Sequence, residues 1–203
     1  KYFKQQVMPV ISPISLDLTH PFPRLVNKSL HFLLHLHGND AFGRDLEYAV
    51  LHMPRSLPRI IELPENVGGS KEHNFVYLSS VISEFAEDLF PGMDIHGCYQ
   101  FRLTRDSHLL LEEGSIEDLA SALKRELQSR NFGAAVRLEV GKSCPNKIVN
   151  FLLQKCNLTP EELYRVDGPV NLNRLMSLPE LVERPDLKFS GFTPKVPGEI
   201  ARR

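Results

Sequence analysis

Apolar and polar residues alternate from Ser29 to His37. Leu30, Phe32, Leu34 and Leu36 fall on one face, with Ser29, His31, Leu33, His35 and His37 on the other. A period of two predicts a strand. Leu46 to Met53 and Pro58 to Leu63 are further strands, kept short or at an edge by Pro54, Pro58 and Pro64. From Phe75 to Phe90 the spacing lengthens. Val81, Ile82, Phe85, Ala86 and Leu89 recur as on a helix, which Pro91-Gly92 stops. Asp94 to Asp106 reads as a strand around Tyr99, Phe101 and Leu103. Ile116 to Asn131 carries the clearest helical stripe, with Ser115 as N-cap, Asp118 at the capping-box position and Gly133 beyond its end. Ala134 to Val140 predicts a strand and Pro145 to Cys156 a helix. Thr159-Pro160-Glu161-Glu162 opens a short turn, and Asn171 caps a short helix through Leu175.

The order predicts an α+β fold, a two-layer α/β sandwich with a mixed, largely antiparallel sheet. Pro9, Pro13, Pro21 and Pro23 forbid a continuous helix or central strand between Met8 and Pro23. Residues 1–27 are therefore expected to lead in as an extended segment, and the proline-spaced residues 179–203 to leave as an irregular linker. Lys1 to Val7 reads as the tail of a helix begun upstream, and the polar 198–203 as a cut linker. Both ends are expected of a segment of a longer protein.

Composition narrows the function. A chain of 203 residues buries roughly 70% of its extended surface on folding, so its core needs no staples. The net charge of −1 gives no global field for nucleic acid or any other polyanion. A polyanion contact would have to come from a local cluster or a neighbouring domain. Cys98, Cys144 and Cys156 are odd in number and form no CxxC pair, as expected of reduced thiols in the cytoplasm. Cys156 lies on a stripe with Val149, Leu152 and Leu153. No signal peptide opens the chain, and no apolar run approaches the roughly 18 residues of a membrane span.

Several motifs invite a chemical reading. Gly141-Lys142-Ser143 looks like the end of a phosphate-binding loop. That loop needs another glycine five residues earlier, and the position is Val136. His31, His35 and His37 are candidate metal ligands, because alternate strand residues share a face. No carboxylate follows them at matching spacing, and the plainer reading makes them the polar side of a half-buried strand. Arg102, Arg105 and Asp106 are the sharpest charged group. Arg102 and Thr104 alternate with Phe101 and Leu103, and Arg105 falls on the apolar side at the strand's end. Arginine suits bidentate phosphate contact or a partner domain. The plainer reading is a sheet-surface arginine paired with a carboxylate and a strand end closing a turn. Asp167-Gly168-Pro169 reads as a turn, and Arg137 and Glu139 as cross-strand pairing groups.

Phe101-Arg102-Leu103-Thr104-Arg105-Asp106, Ala135-Val136-Arg137-Leu138-Glu139-Val140 and Val166-Asp167-Gly168-Pro169-Val170-Asn171-Leu172 occur in this order. Tyr2-Phe3-Lys4 precedes them and Pro185-Asp186-Leu187-Lys188-Phe189 follows. Together they resemble the middle, or head, domain of the polyphosphate kinases whose catalytic domains are built like phospholipase D. The resemblance runs nearly end to end, so residues 1–203 are expected to form a single head domain. It implies a compact α/β sandwich between a helical domain and two catalytic domains. It also implies a parent enzyme that moves the terminal phosphate of ATP onto polyphosphate, with Mg²⁺ and a phosphohistidine. The head domain is then expected to pack against other domains of the same polypeptide and to help form a homodimer and the active-site tunnel.

The phospholipase D-like motif requires His-x-Lys, with histidine as nucleophile and lysine neutralising the phosphoryl group. The residues two after each histidine here are Phe22, Leu33, His37, Asn39, Pro54, Phe75, Cys98 and Leu110. None is lysine. The resemblance therefore assigns no catalytic residue and no cofactor to this chain; ATP and Mg²⁺ belong to the parent. The alternatives are a free-standing small-ligand-binding or metal-using α+β domain, and a protein-interaction module.

Overall fold

The computed structural model describes residues 1–16, 22–39, 43–64, 73–106 and 133–195. The helix expected over 116–131 lies outside them. Among the described residues, six strands form one sheet: β1 (Pro13–Leu16), β2 (Leu30–His37), β3 (Tyr48–His52), β6 (Asp94–Arg105), β7 (Ala135–Gly141) and β8 (Leu163–Val166). Their order is β1-β3-β2-β6-β7-β8. All neighbours are antiparallel except β7 and β8, which run parallel. A separate two-stranded ribbon pairs β4 (Ile60–Glu62) with β5 (Phe75–Tyr77). The expected α+β class with a mixed, largely antiparallel sheet is the observed one.

The strands are apolar because the centre of the sheet is covered on both faces. Leu30, Phe32, Leu34 and Leu36 of β2 pack with Ala49 and Leu51 of β3, under Phe3, Val7 and helix α1 (Leu78–Glu84). Leu33 joins Tyr48, Val50, Phe101, Leu103, Leu138 and Val140 on the opposite face, under Ile148, Val149, Leu152 and Leu153 of helix α2 (Asn146–Cys156). Phe32, Leu33, Leu34, Phe101 and Leu138 are fully buried, each contributing about 1.5–3 kcal/mol of transfer free energy. This corrects the half-buried reading of β2. His31 is only 1% exposed, because a central strand between two cores has no solvated side.

The other differences are local. Phe75 to Tyr77 form β5 rather than the start of a helix, since β-branched and aromatic residues suit the ribbon. Helix α1 stops at Glu84, and a 3₁₀ turn follows over Ala86–Leu89. Phe3 to Val10 coil helically before β1, which enters as an edge strand whose first residue is Pro13. That is where a residue without an N–H is tolerated. β8 has no strong alternation in its four residues and is held beside β7 by tertiary pairing. Asn171 precedes the 3₁₀ helix Leu172–Ser177 with a φ of 69° and makes no side-chain cap. Pro179 falls within a single helical turn, α3 (Leu178–Leu181).

Helix α2 ends as its sequence directs. Asn157 takes the left-handed conformation at φ 55°, and Leu158 N–H returns to the Leu153 carbonyl at 2.9 Å. Thr159 and Glu162 then form the capping box of a 3₁₀ turn, with Thr159 N–H donating to Glu162 Oε2 at 2.7 Å. Gly168 has a φ of +129°, which only glycine adopts readily, so the Asp167-Gly168-Pro169 turn is built as expected.

Candidate functional site

The end of β6 holds the sequence's sharpest charges, and the structure employs them internally. Arg102 Nη1 donates to Glu139 Oε2 at 2.9 Å across the β6–β7 pair, and its Nε donates to the Lys28 carbonyl at 3.3 Å. Arg137 Nη2 donates to the other Glu139 oxygen at 3.2 Å, and its guanidinium stacks 4.0 Å over the Tyr164 ring of β8. Glu139 is 8% exposed. Two arginines therefore neutralise one buried carboxylate, and the ladder fastens three strands.

Among the described residues, no carboxylate pairs with Arg105 in this way. Its Nε donates to the Leu25 carbonyl at 3.0 Å and its Nη1 to the Gly133 carbonyl at 2.8 Å. Its backbone N–H donates to Asn27 Oδ1 at 2.9 Å. This side chain ties residues 25–27 and 133 to the strand end. Asp106 N–H donates to the Ala134 carbonyl at 2.8 Å. A Cβ at position 133 would run into the Asp106 carbonyl, so glycine is required there.

The histidines divide. His31 lies between Phe101, stacked at 5.4 Å, and His52, whose Nδ1 is 3.1 Å from His31 Nε2. Burial, then the neighbouring His52, pushes its pKa down to about 3. His35 and His37 line a different cleft, of about 370 Å³, with Asp45, Glu47 and His96. His96 lies 5.5 Å from His35 and 5.8 Å from His37 between ring centroids. Its place at a β-bulge in β6 carries it there. Burial, then Lys147 of α2, lowers the pKa of His35. Lys147 Nζ donates to Glu47 Oε1 at 2.7 Å. Among the described residues, no group of three or more His, Cys, Asp and Glu comes together to hold a metal ion.

A second cleft, of about 430 Å³, brings Gly141-Lys142-Ser143 against Val166-Asp167-Gly168, with Cys98 and Cys144 in its wall. Lys142 Nζ donates to Asp167 Oδ2 at 2.6 Å. Both groups are solvated, so the pair adds little. Burial raises Cys98, Cys144 and Cys156 to about 11 each, leaving three poorly nucleophilic thiols.

One cluster escapes a linear reading. Arg55, Arg59 and Arg174 line a cleft of about 410 Å³, with Leu57, Pro58, Asn173, Met176, Ser177 and Leu181. Arg55 Nη2 donates to Ser29 Oγ at 2.6 Å. Arg59 Nη1 is buried without a hydrogen-bond partner. Burial, then Arg174, then Arg55, lowers the Arg59 pKa to about 10. Arg55 and Arg59 flank Pro58 closely, but Arg174 is remote in sequence. Only the fold brings them together.

The described residues thus define an α+β domain whose arginines divide between internal ties and an open cleft. The family profile of the polyphosphate kinase middle domain matches residues 1–178, and the chain belongs to that family. It is 54% identical over its full 203 residues to a polyphosphate kinase of Pseudomonas aeruginosa, of which it covers 29%. It is 50% identical over 193 residues, 95% of its length, to the polyphosphate kinase of Neisseria gonorrhoeae, covering 28% of that protein. The crystal structure of polyphosphate kinase from Porphyromonas gingivalis matches 96% of the chain and 26% of that protein, with a TM-score of 0.65 and 21% identity. That likeness concerns the fold. The chain therefore spans under a third of the curated relatives it matches. Among the described residues, no helix is long and apolar enough to cross a membrane.

Proposed function

We propose that this chain is a non-catalytic assembly domain of an ATP:polyphosphate phosphotransferase. The phosphohistidine, ATP and Mg²⁺ sites belong to domains outside these residues, and this domain helps form the dimer and the active-site tunnel. Family membership and the absence of His-x-Lys support the division of labour. The observation that carries the assembly role is the number of exposed large apolar residues between 172 and 192. Leu172 is 56% exposed, Met176 75%, Leu187 73%, Phe192 87%, and Phe189 fully open. Large apolar residues this exposed over one stretch of chain favour a covering surface, and the relatives carry more than twice this length again.

Phe189→Ser with Phe192→Ser in the full-length protein tests the role. The expected result is weaker dimer or domain association, read by sedimentation, with phosphohistidine formation from ATP retained. Unchanged association would contradict the assembly role. Separately, the 203-residue chain given ATP, Mg²⁺ and a polyphosphate primer is expected to show no turnover, and turnover that survives contaminant controls would overturn the non-catalytic reading.

A further inference from the structure

We propose that the Arg55–Arg59–Arg174 cleft is a binding site for an oligophosphate anion. The bend segment 55–59, which leads into β4, and the 3₁₀ helix Leu172–Ser177 bring three guanidinium groups to one cleft. Each offers five N–H donors in a planar fork suited to phosphate oxygens. Arg55 uses a donor on Ser29. No carboxylate among the described residues pairs with any of the three, in contrast to Arg102 and Arg137, which share Glu139. Burial costs the Arg59 charge most, the like charges of Arg174 and Arg55 add to that cost, and among the described residues its Nη1 has no acceptor. A multivalent anion removes both penalties together.

A single carboxylate fits the arrangement less well. It brings one charge and two oxygens to three forks, whereas a phosphate chain carries charge on each of its units. The walls agree: Leu57, Pro58 and Met176 supply no competing acceptor side chain, while Asn173 and Ser177 are neutral polar groups. The site stands on this geometry. Only the choice of a condensed phosphate over another phosphate rests on the polyphosphate kinase reading.

The test is hydrogen exchange on the full-length protein carrying this chain, with inorganic tripolyphosphate in one arm and ATP in another. Tripolyphosphate is expected to slow exchange in peptides covering 55–62 and 171–181. Protection by tripolyphosphate alone assigns a free condensed phosphate, and equal protection by ATP assigns any triphosphate. Arg174→Gln changes an exposed side chain and leaves the core intact. It is expected to weaken tripolyphosphate binding about tenfold, the loss of one charge-assisted contact. It should also make binding less sensitive to salt, since one screened charge pair is removed. Lys155→Gln, which removes a cation on α2, away from the cleft, is expected to leave the protection in place.

Absence of protection in both arms overturns the proposal. So does protection that persists undiminished in Arg174→Gln. Protection of both segments before any anion is added, together with weaker domain association in Arg174→Gln, overturns it in favour of a protein carboxylate in the cleft. ATP–polyphosphate turnover of the same preparation separates the two readings. Turnover without protection removes this site alone, and protection without turnover removes the parent assignment while the anion site stands.

Discussion

Two sets of arginines in this domain face opposite circumstances. Arg102 and Arg137 close on Glu139, and Arg105 on two backbone carbonyls. Arg55, Arg59 and Arg174 meet across a cleft where, among the described residues, no carboxylate pairs with them. The first set is architecture, because every contact made is one that folding itself completes. The second is left incomplete by folding, and an incomplete charge cluster is where an external anion gains most. Residue type alone does not separate the two sets; the partners do.

The largest effect expected is pH dependence at the first set's border. His31 is packed beside His52, with Arg105 and Arg55 acting on it as well. Its folded pKa of about 3 lies below the ordinary 6.5, so the unfolded chain binds the extra proton first. Stability is full above pH 6.5 and falls as pH drops from there towards 3, by on the order of 4 kcal/mol. Urea unfolding across that range checks the slope, and His31→Phe should flatten it. A flat parent profile would place His31 outside the core.

Glu139→Ala comes next. It leaves Arg102 and Arg137 without their shared carboxylate, at an expected loss of about 3 kcal/mol in denaturant melts. Arg105→Met orphans the Leu25 and Gly133 carbonyls and should cost about 1–3 kcal/mol. The smallest effect is at the cleft. Arg174→Gln should change stability by less than about 0.5 kcal/mol, since its side chain is exposed and no hydrogen-bond or ion-pair partner meets it among the described residues. A loss there as large as that of Glu139→Ala would erase the distinction between the two sets.

Much of this was legible in sequence. The alternation of β2, the long β6, the stripe of α2 and the Thr159 turn all follow from local periodicity and capping chemistry. So did the need for any polyanion contact to come from a local cluster in a chain of net charge −1. The burial of His31 was not legible, because nothing local says that a second core covers the far face of β2. β8 and β5 escaped because short strands are fixed by their neighbours. The cleft escaped because Arg174 reaches Arg55 and Arg59 only through tertiary packing. The sequence singled out Arg102 and Arg105 by their strand position, and the structure shows what each one holds.

The central claim is that phosphoryl transfer belongs to residues outside this chain. Mapping the phosphohistidine tests it most directly. The full-length protein is to be labelled with ATP and Mg²⁺, quenched at alkaline pH, digested, and sequenced by mass spectrometry. The account predicts no phosphohistidine at His20, His31, His35, His37, His52, His73, His96 or His108, and a labelled histidine elsewhere in the protein. Stoichiometric label on any of these eight would contradict it.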